Sequence, residues 1–428
     1  MAEQEVEATY DPGAIRSGWT FIALALGLCI PSIVLRMGVE LTTEVDTLLF
    51  GIGILGAAFL LSWGAEVAQL EISQALAIAF LAFIAVLPEY AVDLVFAWKA
   101  GTEDRLLEMT GATAPFQCGG DAYCRELAIA NMTGANRLLI GIGWSLVVLL
   151  WWRRSGEREV RLGERRRIEL GFLFLATLWA FTIVIRGHLS MLDLVVLLLA
   201  FIGYIWHAAL EEAEHPELVG PPIAIAALGR RRRRLVTVLM FLFAAGIILA
   251  AAEPFAHGLV ETGKRFDIDE FLLVQWLAPL ASEAPEMVIA ILFVLRAKPA
   301  AGLGTLVSSK VNQWSLLIAT IPLVYAIAHR SFSAMPLDGQ QVEEVFLTAA
   351  QSAFAVAVLG SLSISRGEAL MLLLPFLGQF AFPSSGVRWA FSGLYLAGFA
   401  YIFIRRAEAR QGLVRAVRAA LSRPRRGS

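Results

Sequence analysis

Glu283 and Glu286 stand three residues apart in LAPLASEAPEMVIAILFVLRAKPAAGLGTLVSSKVNQW, residues 277–314. On a helix that spacing puts both carboxylates on one face. Pro285 lies between them and Pro279 precedes them. Each proline removes one helical hydrogen bond and pushes away the carbonyl four residues back, Ala281 for Pro285 and Gln275 for Pro279. Ser308, Ser309, Lys310, Asn312 and Gln313 then interrupt the next apolar run. The flanks of this stretch are hydrophobic enough for a bilayer and its middle is not. Carboxylates, freed carbonyls, hydroxyls and amides are costly at membrane depth and mark an ion or substrate path.

The elements that position these groups are membrane spans. Of the 428 residues, 58% are hydrophobic and only 17% charged, with a mean hydropathy of +0.68. A soluble domain carries roughly a quarter charged residues, so the chain reads as an all-α polytopic membrane protein. The net charge of −2 hides a segregation of signs. The first seventeen residues are acidic and lack the basic start of a cleaved signal, so 18–37 reads as a retained span. Apolar runs of helical span length follow at 47–68, 73–98, 126–152, 168–186, 190–208, 235–257, 269–296, 302–328, 343–363, 367–382 and 387–404, which makes twelve in all. The loop 153–167 holds seven Arg against three Glu, Arg230–Arg234 is unbroken, and 405–428 holds eight Arg and one Glu. The positive-inside rule places all three in the cytoplasm, with both termini, of a plasma or inner membrane. The basic tail reads as an ordinary anchor of this kind rather than a lipid-binding helix.

The chain also resembles itself. AVLPEYAVDLVFAWKAG at 85–101 answers ASEAPEMVIAILFVLRAKP at 281–299, and ANMTGANRLLIGIGW at 130–144 answers TLVSSKVNQWSLLIATIP at 305–322. LLLAFIGY at 197–204 answers LLLPFLGQ at 372–379. Two five-helix units, 47–208 and 235–382, therefore flank an Arg-rich linker at 209–234. Residues 1–46 and 383–428 add one helix at each end. Five is odd, so the second unit enters the membrane from the opposite side. Inverted repeats place a substrate site at the midplane, between paired broken helices.

These motifs resemble the two alpha-repeats of the calcium/cation antiporter superfamily, which includes the sodium/calcium exchangers. Its pattern is G-T/S-S-x-P-E on one helix and G-N-x-x-G-S-N-x-x-N/D on the next, in each half. Ile84–Glu89 keeps the Pro-Glu and loses the hydroxyls. Asn131 and Asn136 are kept, and Leu139 stands where the family has a liganding amide. In the other half Ser282, Glu286 and Ser309 are kept, Glu283 replaces a serine, Lys310 an asparagine, and Gln313 an acid. The resemblance implies an antiporter that moves Ca2+ or a similar cation against Na+ or H+ by alternating access. It implies no cofactor, no enzymatic reaction and no nucleic-acid partner.

Calcium takes about six to eight oxygen ligands. Glu89, Glu286 and Glu283, with Asn136, Ser282, Ser309, Asn312 and Gln313, are the candidate cation ligands, helped by the carbonyls of Ile84 and Ala281. Lys310, Asp93 and Asn131 are candidate path or coupling residues. Lys310 and Arg137 either pair with nearby carboxylates or snorkel. The sharper reading holds Lys310 beside Glu283 in place of a Na+, with desolvation releasing its proton on one side of the cycle. Glu66 and Glu253, on neighbouring helices, read as packing or surface groups. Other readings are a monovalent cation/proton antiporter, a cation channel, or an intramembrane enzyme using Ser309 and Lys310. Adjacent helical residues point about 100° apart, which counts against the enzyme. Cys118 and Cys124 lie in one outer loop and suit a local disulfide; Cys29 reads as a small packing residue.

Overall fold

The structure, a computed structural model, describes residues 11–39, 41–70, 87–111, 124–210 and 218–422. It is built of helices with two very short strand pairs. The first half holds α1 (Pro12–Arg36), α2 (Thr43–Ala68), α3 (Leu87–Thr110), α4 (Cys124–Leu138), α5 (Ser145–Ser155), α6 (Arg166–Arg186) and α7 (Met191–Leu210). A short α8 (Pro222–Ala226) follows. The second half holds α9 (Arg230–Phe266), α10 (Glu270–Leu295), α11 (Pro299–Asn312), α12 (Ile318–His329), α13 (Gly339–Leu359) and α14 (Arg366–Ala381). α15 (Ser385–Arg405) and α16 (Ala407–Leu421) end the chain. Among the described residues ten helical stretches are long and apolar enough to cross a membrane. Large apolar side chains such as Leu199, Leu242 and Leu374 are exposed on the outer faces, as lipid contact requires. Start and stop signals fix the ends. Asp338 and Ser365 form capping boxes at the starts of α13 and α14. Gly156 and Gly187 take the left-handed conformation at the ends of α5 and α6.

The two halves repeat each other in detail. α4 passes into α5 through a π-helical segment, Leu139–Trp144, and α11 passes into α12 through another, Gln313–Leu317. These fall at matching places in the two copies of the motif. Extra turns of this kind inside helices cluster at functional sites. The strands obey the same symmetry. β1 (Glu159–Arg161), between α5 and α6, pairs with β4 (Ser363–Ser365), between α13 and α14. β2 (His188–Leu189), between α6 and α7, pairs with β3 (Met335–Pro336), between α12 and α13. A two-fold axis that maps the first half on the second turns β1·β4 into β3·β2. The first pair lies on the Arg-rich face and the second on the opposite face, so the axis lies in the membrane plane.

Several expected boundaries move. α3 runs to Thr110 rather than 98, and α9 takes in the whole Arg230–Arg234 run and continues to Phe266. The helices continue into the polar layer, α9 through Pro254 and Gly258 and α3 through Gly101. Half of the expected span 73–98 lies outside the described residues. The eleventh span is a helix of only 16 residues, α14. The linker is more than a loop, because every residue of α8 is buried. Cys29 is fully buried, with its thiol on the carbonyls of Ala25 and Gly53. Cys124 is in a disulfide, and Cys118 lies outside the described residues.

Orientation is open to direct test. Ser155 and Ser333 are exposed on opposite faces. With an impermeant thiol reagent on intact cells, Ser333→Cys should label above wild-type background and Ser155→Cys should not. The reverse pattern would invert the topology.

Candidate cation site

Glu89 sits in the first turn of α3 and is only 2% exposed. Gln313, the first residue of the second π segment, donates from Nε2 to Glu89 Oε1 at 3.1 Å and to Glu283 Oε1. The Glu89 and Glu283 carboxyl groups thus share one donor and lie close enough to act on each other electrostatically. Glu286, one turn further along α10, is buried close enough to both to repel them electrostatically. One carboxylate from each half thus meets at one amide, with a third, Glu286, close by. The second oxygens of Glu89, Glu283 and Glu286, with Asn312 Oδ1 and Gln313 Oε1, receive no hydrogen bond from the described residues. Oxygens buried without a donor are costly, and a hard cation is the chemistry that satisfies them.

Lys310 is fully buried beside this cluster. Its ammonium donates to Asn136 Oδ1 at 2.7 Å and to the Asn136 carbonyl at 3.3 Å. It also lies 4.2 Å from the centre of the Trp314 ring, within cation–π range. Among the described residues no carboxylate reaches ion-pair distance of it, although Glu89 and Glu283 act on it electrostatically. The expected pairing with Glu283 is therefore replaced by a neutral cage. Gln313 already occupies Glu283, and Asn136 reaches in from the facing half. Asn136 in turn is anchored by Nδ2 on the Met132 carbonyl. Its oxygen serves the lysine, so it does not stand free as a ligand.

Asp93 and Asn131, one turn from the cluster, bond to each other at 2.7 Å and are both buried. They form a second polar pair between α3 and α4, in which Asp93 Oδ2 and Asn131 Oδ1 receive no hydrogen bond from the described residues. The Ser282 hydroxyl turns back on its own helix, to the carbonyls of Ala278 and Pro279. Ser309 and Asn312 are buried on α11. The Gln275 carbonyl, displaced by Pro279, is met by Gly134. A Cβ there would lie 1.8 Å from that oxygen, so only glycine lets α4 approach α10 so closely. The carbonyl of Ile84 lies outside the described residues. The oxygens of Glu66 are buried facing the backbone of Val219. Glu253 is exposed and lines a polar cavity of about 380 Å³ with Asp46, Lys99 and His257.

Arg137 does find a carboxylate: its guanidinium lies 2.5 Å from Glu344 and donates to Gln379 at 3.0 Å. Glu344 also meets Arg388 at 3.5 Å. Sequence reasoning missed these partners and the Trp314 ring. Glu344 could have been found, as an acid at the edge of an apolar run that had to be balanced.

A family model described as sodium/calcium exchanger protein matches residues 47–210 and 236–384. A crystal structure of the H+/Ca2+ exchanger CAX shares 42% of its sequence with this chain, covers 95% of it and 98% of its own length, and superposes with a TM-score of 0.86. YfkE, at 13% identity, covers 87% of this chain and 98% of itself with a TM-score of 0.55. The sodium-calcium exchanger NCX_Mj, at 15% identity, covers 79% and 98% with a TM-score of 0.50. The last two share the fold. No curated protein matches the chain. Family, fold and buried carboxylates agree: this chain is a membrane-embedded cation exchanger, not an enzyme, and belongs to the sodium/calcium exchanger family.

Proposed function

We propose that the chain exchanges Ca2+ for H+ by alternating access, at the site formed by Glu89, Glu283, Glu286 and Gln313. The observation that carries this reading is the cluster's charge. Three carboxylates and the Lys310 ammonium sum to −2 when all are ionised. One divalent cation balances that charge, and so do two protons. Uncompensated charge at this depth costs several kcal/mol, so the empty, unprotonated site is avoided and cation and protons alternate. The similarity to the H+/Ca2+ exchanger supports the same pair of ions. Glu89, Glu283 and Glu286 would supply carboxylate oxygens and Gln313 its free Oε1, with Ser309 and Asn312 as neutral donors nearby.

Lys310 favours protons over Na+ as the counter-ion. Its ammonium brings one fixed positive charge to a cage that no solvent reaches. A Na+ would bring the same charge to the same place, and the tether of Lys310 to Asn136 and Trp314 excludes it. Both termini and the Arg-rich segments are assigned to the cytoplasm of a plasma or inner membrane, on the distribution of arginine.

Glu89→Gln and Glu286→Gln preserve shape and remove one charge. Each should lower exchange on the order of 100-fold, the equivalent of about 3 kcal/mol, with the protein still present in the membrane. Near-normal flux in either variant would remove that residue from the ligand set.

In proteoliposomes with an acidic lumen and no Na+, wild type should take up Ca2+ while protons leave. Raising the lumenal pH to that of the bath should abolish the drive. Lys310→Ala should weaken the response to the pH gradient more than the response to Ca2+ concentration. Uptake that needs Na+ and ignores pH would reject proton coupling.

A further inference from the structure

Two carboxylates outside the cation site reach from one half of the protein into the other. Glu169 stands in IELGFL at 168–173, on α6. Glu344 stands in VEEVFL at 342–347, on α13. The two hexapeptides lie at matching places in the repeats. Glu169 accepts from the Ser308 hydroxyl at 3.1 Å and from Arg166, and Arg166 also donates to Ser308 at 3.0 Å. Ser308 lies on α11, two residues before Lys310. Gly304, one turn earlier, lies against the Arg166 guanidinium, where a Cβ would come within 2.7 Å of it. Glu344 pairs with Arg137 of α4, the residue that follows Asn136. So α6 of the first half holds α11 of the second, which carries Ser309, Lys310 and Asn312, and α13 of the second half holds α4 of the first, whose Asn136 cages Lys310.

The grips lie toward opposite faces. Glu169 is in the first turn of α6, beside the Arg-rich loop. Glu344 is near the start of α13, at the other face. They also differ in chemistry. Arg137 and Glu344 are 1% and 2% exposed, a sealed ion pair. The Arg166 and Glu169 side chains are 32% and 13% exposed, and the grip there passes through a hydroxyl. With the numbering of the two π segments matched, Ser308 corresponds to Gly134 and Arg137 to Val311. The gripped positions are thus one turn apart on the same face of related helices.

We propose that Glu169 and Glu344 are positioning residues, each fixing the helix that the opposite repeat brings to the site (α11 for Glu169, α4 for Glu344) and so setting access to the site from its own face of the membrane. The access half of this inference rests on the alternating-access reading above; the grip itself does not.

Hydrogen exchange followed by mass spectrometry on the purified protein tests the grip without transport. Glu169→Gln should raise exchange several-fold in 299–312 and leave 124–138 at the wild-type level. Glu344→Gln should do the reverse. If Glu344→Gln fails to fold, with Arg137 left buried and unpaired, Arg137→Gln combined with Glu344→Gln removes both charges and should still release 124–138. Glu169→Asp, which restores a carboxylate, should recover most of the protection. Release confined to the carboxylate's own helix, 166–186 or 339–359, or equal release of both α4 and α11, overturns the proposal. In sided vesicles, each Gln variant should shift the half-saturating Ca2+ concentration several-fold on one face only, a different face for each. Equal shifts on both faces overturn the access half. A wild type that moves no Ca2+ overturns the proposed function instead, and hydrogen exchange then still decides the grip.

Discussion

Everything in this protein depends on finding partners for polar groups where water is absent. Inside a bilayer each unsatisfied donor, acceptor or charge costs several kcal/mol. Three carboxylates, one ammonium and one guanidinium are nonetheless buried near the midplane. The protein deals with them in two ways. Arg137 and Lys310 are given partners from several directions: Glu344, Gln379 and the face of Trp276 for the arginine, Asn136 and Trp314 for the lysine. The carboxylates are given incomplete sets, because Gln313 satisfies one oxygen each of Glu89 and Glu283 and leaves others bare. Fixed charges are closed off, and the carboxylate group is left open to a mobile cation. That division separates scaffold from site more clearly than burial does, since all five side chains are equally hidden.

Duplication solves the problem of facing two sides with one site. The β1·β4 and β2·β3 pairs tie the same helices together at opposite faces, and the two π segments place Leu139 and Gln313 at related positions. The symmetry is broken where the chemistry is. Leu139 faces Gln313, and Asn136 faces Lys310. The amide that bridges the carboxylates comes from one half, and the amide that holds the lysine comes from the other. An unbroken repeat would give two lysines or none. One lysine, caged by the asparagine it replaces in the other half, sets a single charge for the site.

The fold was legible because its signals are long. Spans of about twenty apolar residues, arginine on alternate loops and a duplicated Pro-Glu together give the helices and the inverted repeat, and no packing detail is needed to read them. The site was legible in its inventory but not in its pairing. Glu89, Glu283, Glu286 and Gln313 do meet. Lys310 was expected at Glu283, since opposite charges on facing helices suggest an ion pair. Gln313 takes that place instead, and no spacing rule says which of two neighbours will reach first. Asn136 likewise offers an oxygen that could serve a metal or a lysine, and only the approach of α4 to α11 decides. The place of α4 is set in turn by its close approach to α10, where Gly134 lies against a carbonyl freed by Pro279, two residues 145 positions apart. The longer helix ends were missed for a simpler reason: a hydropathy pattern stops at the membrane, while α3 and α9 run on into the polar layer.

The two prolines of α10 show how local chemistry and global packing are joined. Within a continuous helix they leave carbonyls without their usual donors. At Gln275 the freed oxygen receives the bare backbone of Gly134, and the Gln275 side chain reaches Thr133 at 3.5 Å. Between the two prolines, the Ser282 hydroxyl turns back within the helix onto the carbonyls of Ala278 and Pro279. Neither solution leaves a strong backbone bond to be broken when α10 shifts against α4, because one is a close approach and the other lies within the helix. Glu283 and Glu286 ride on the part of α10 so loosened. A helix held in that way can change its neighbours at little cost, while the sealed Arg137–Glu344 pair on α4 cannot. The two carboxylates thus ride on a helix that meets α4 through a close approach and a long hydrogen bond, while α4 itself carries the asparagine that keeps the lysine in place.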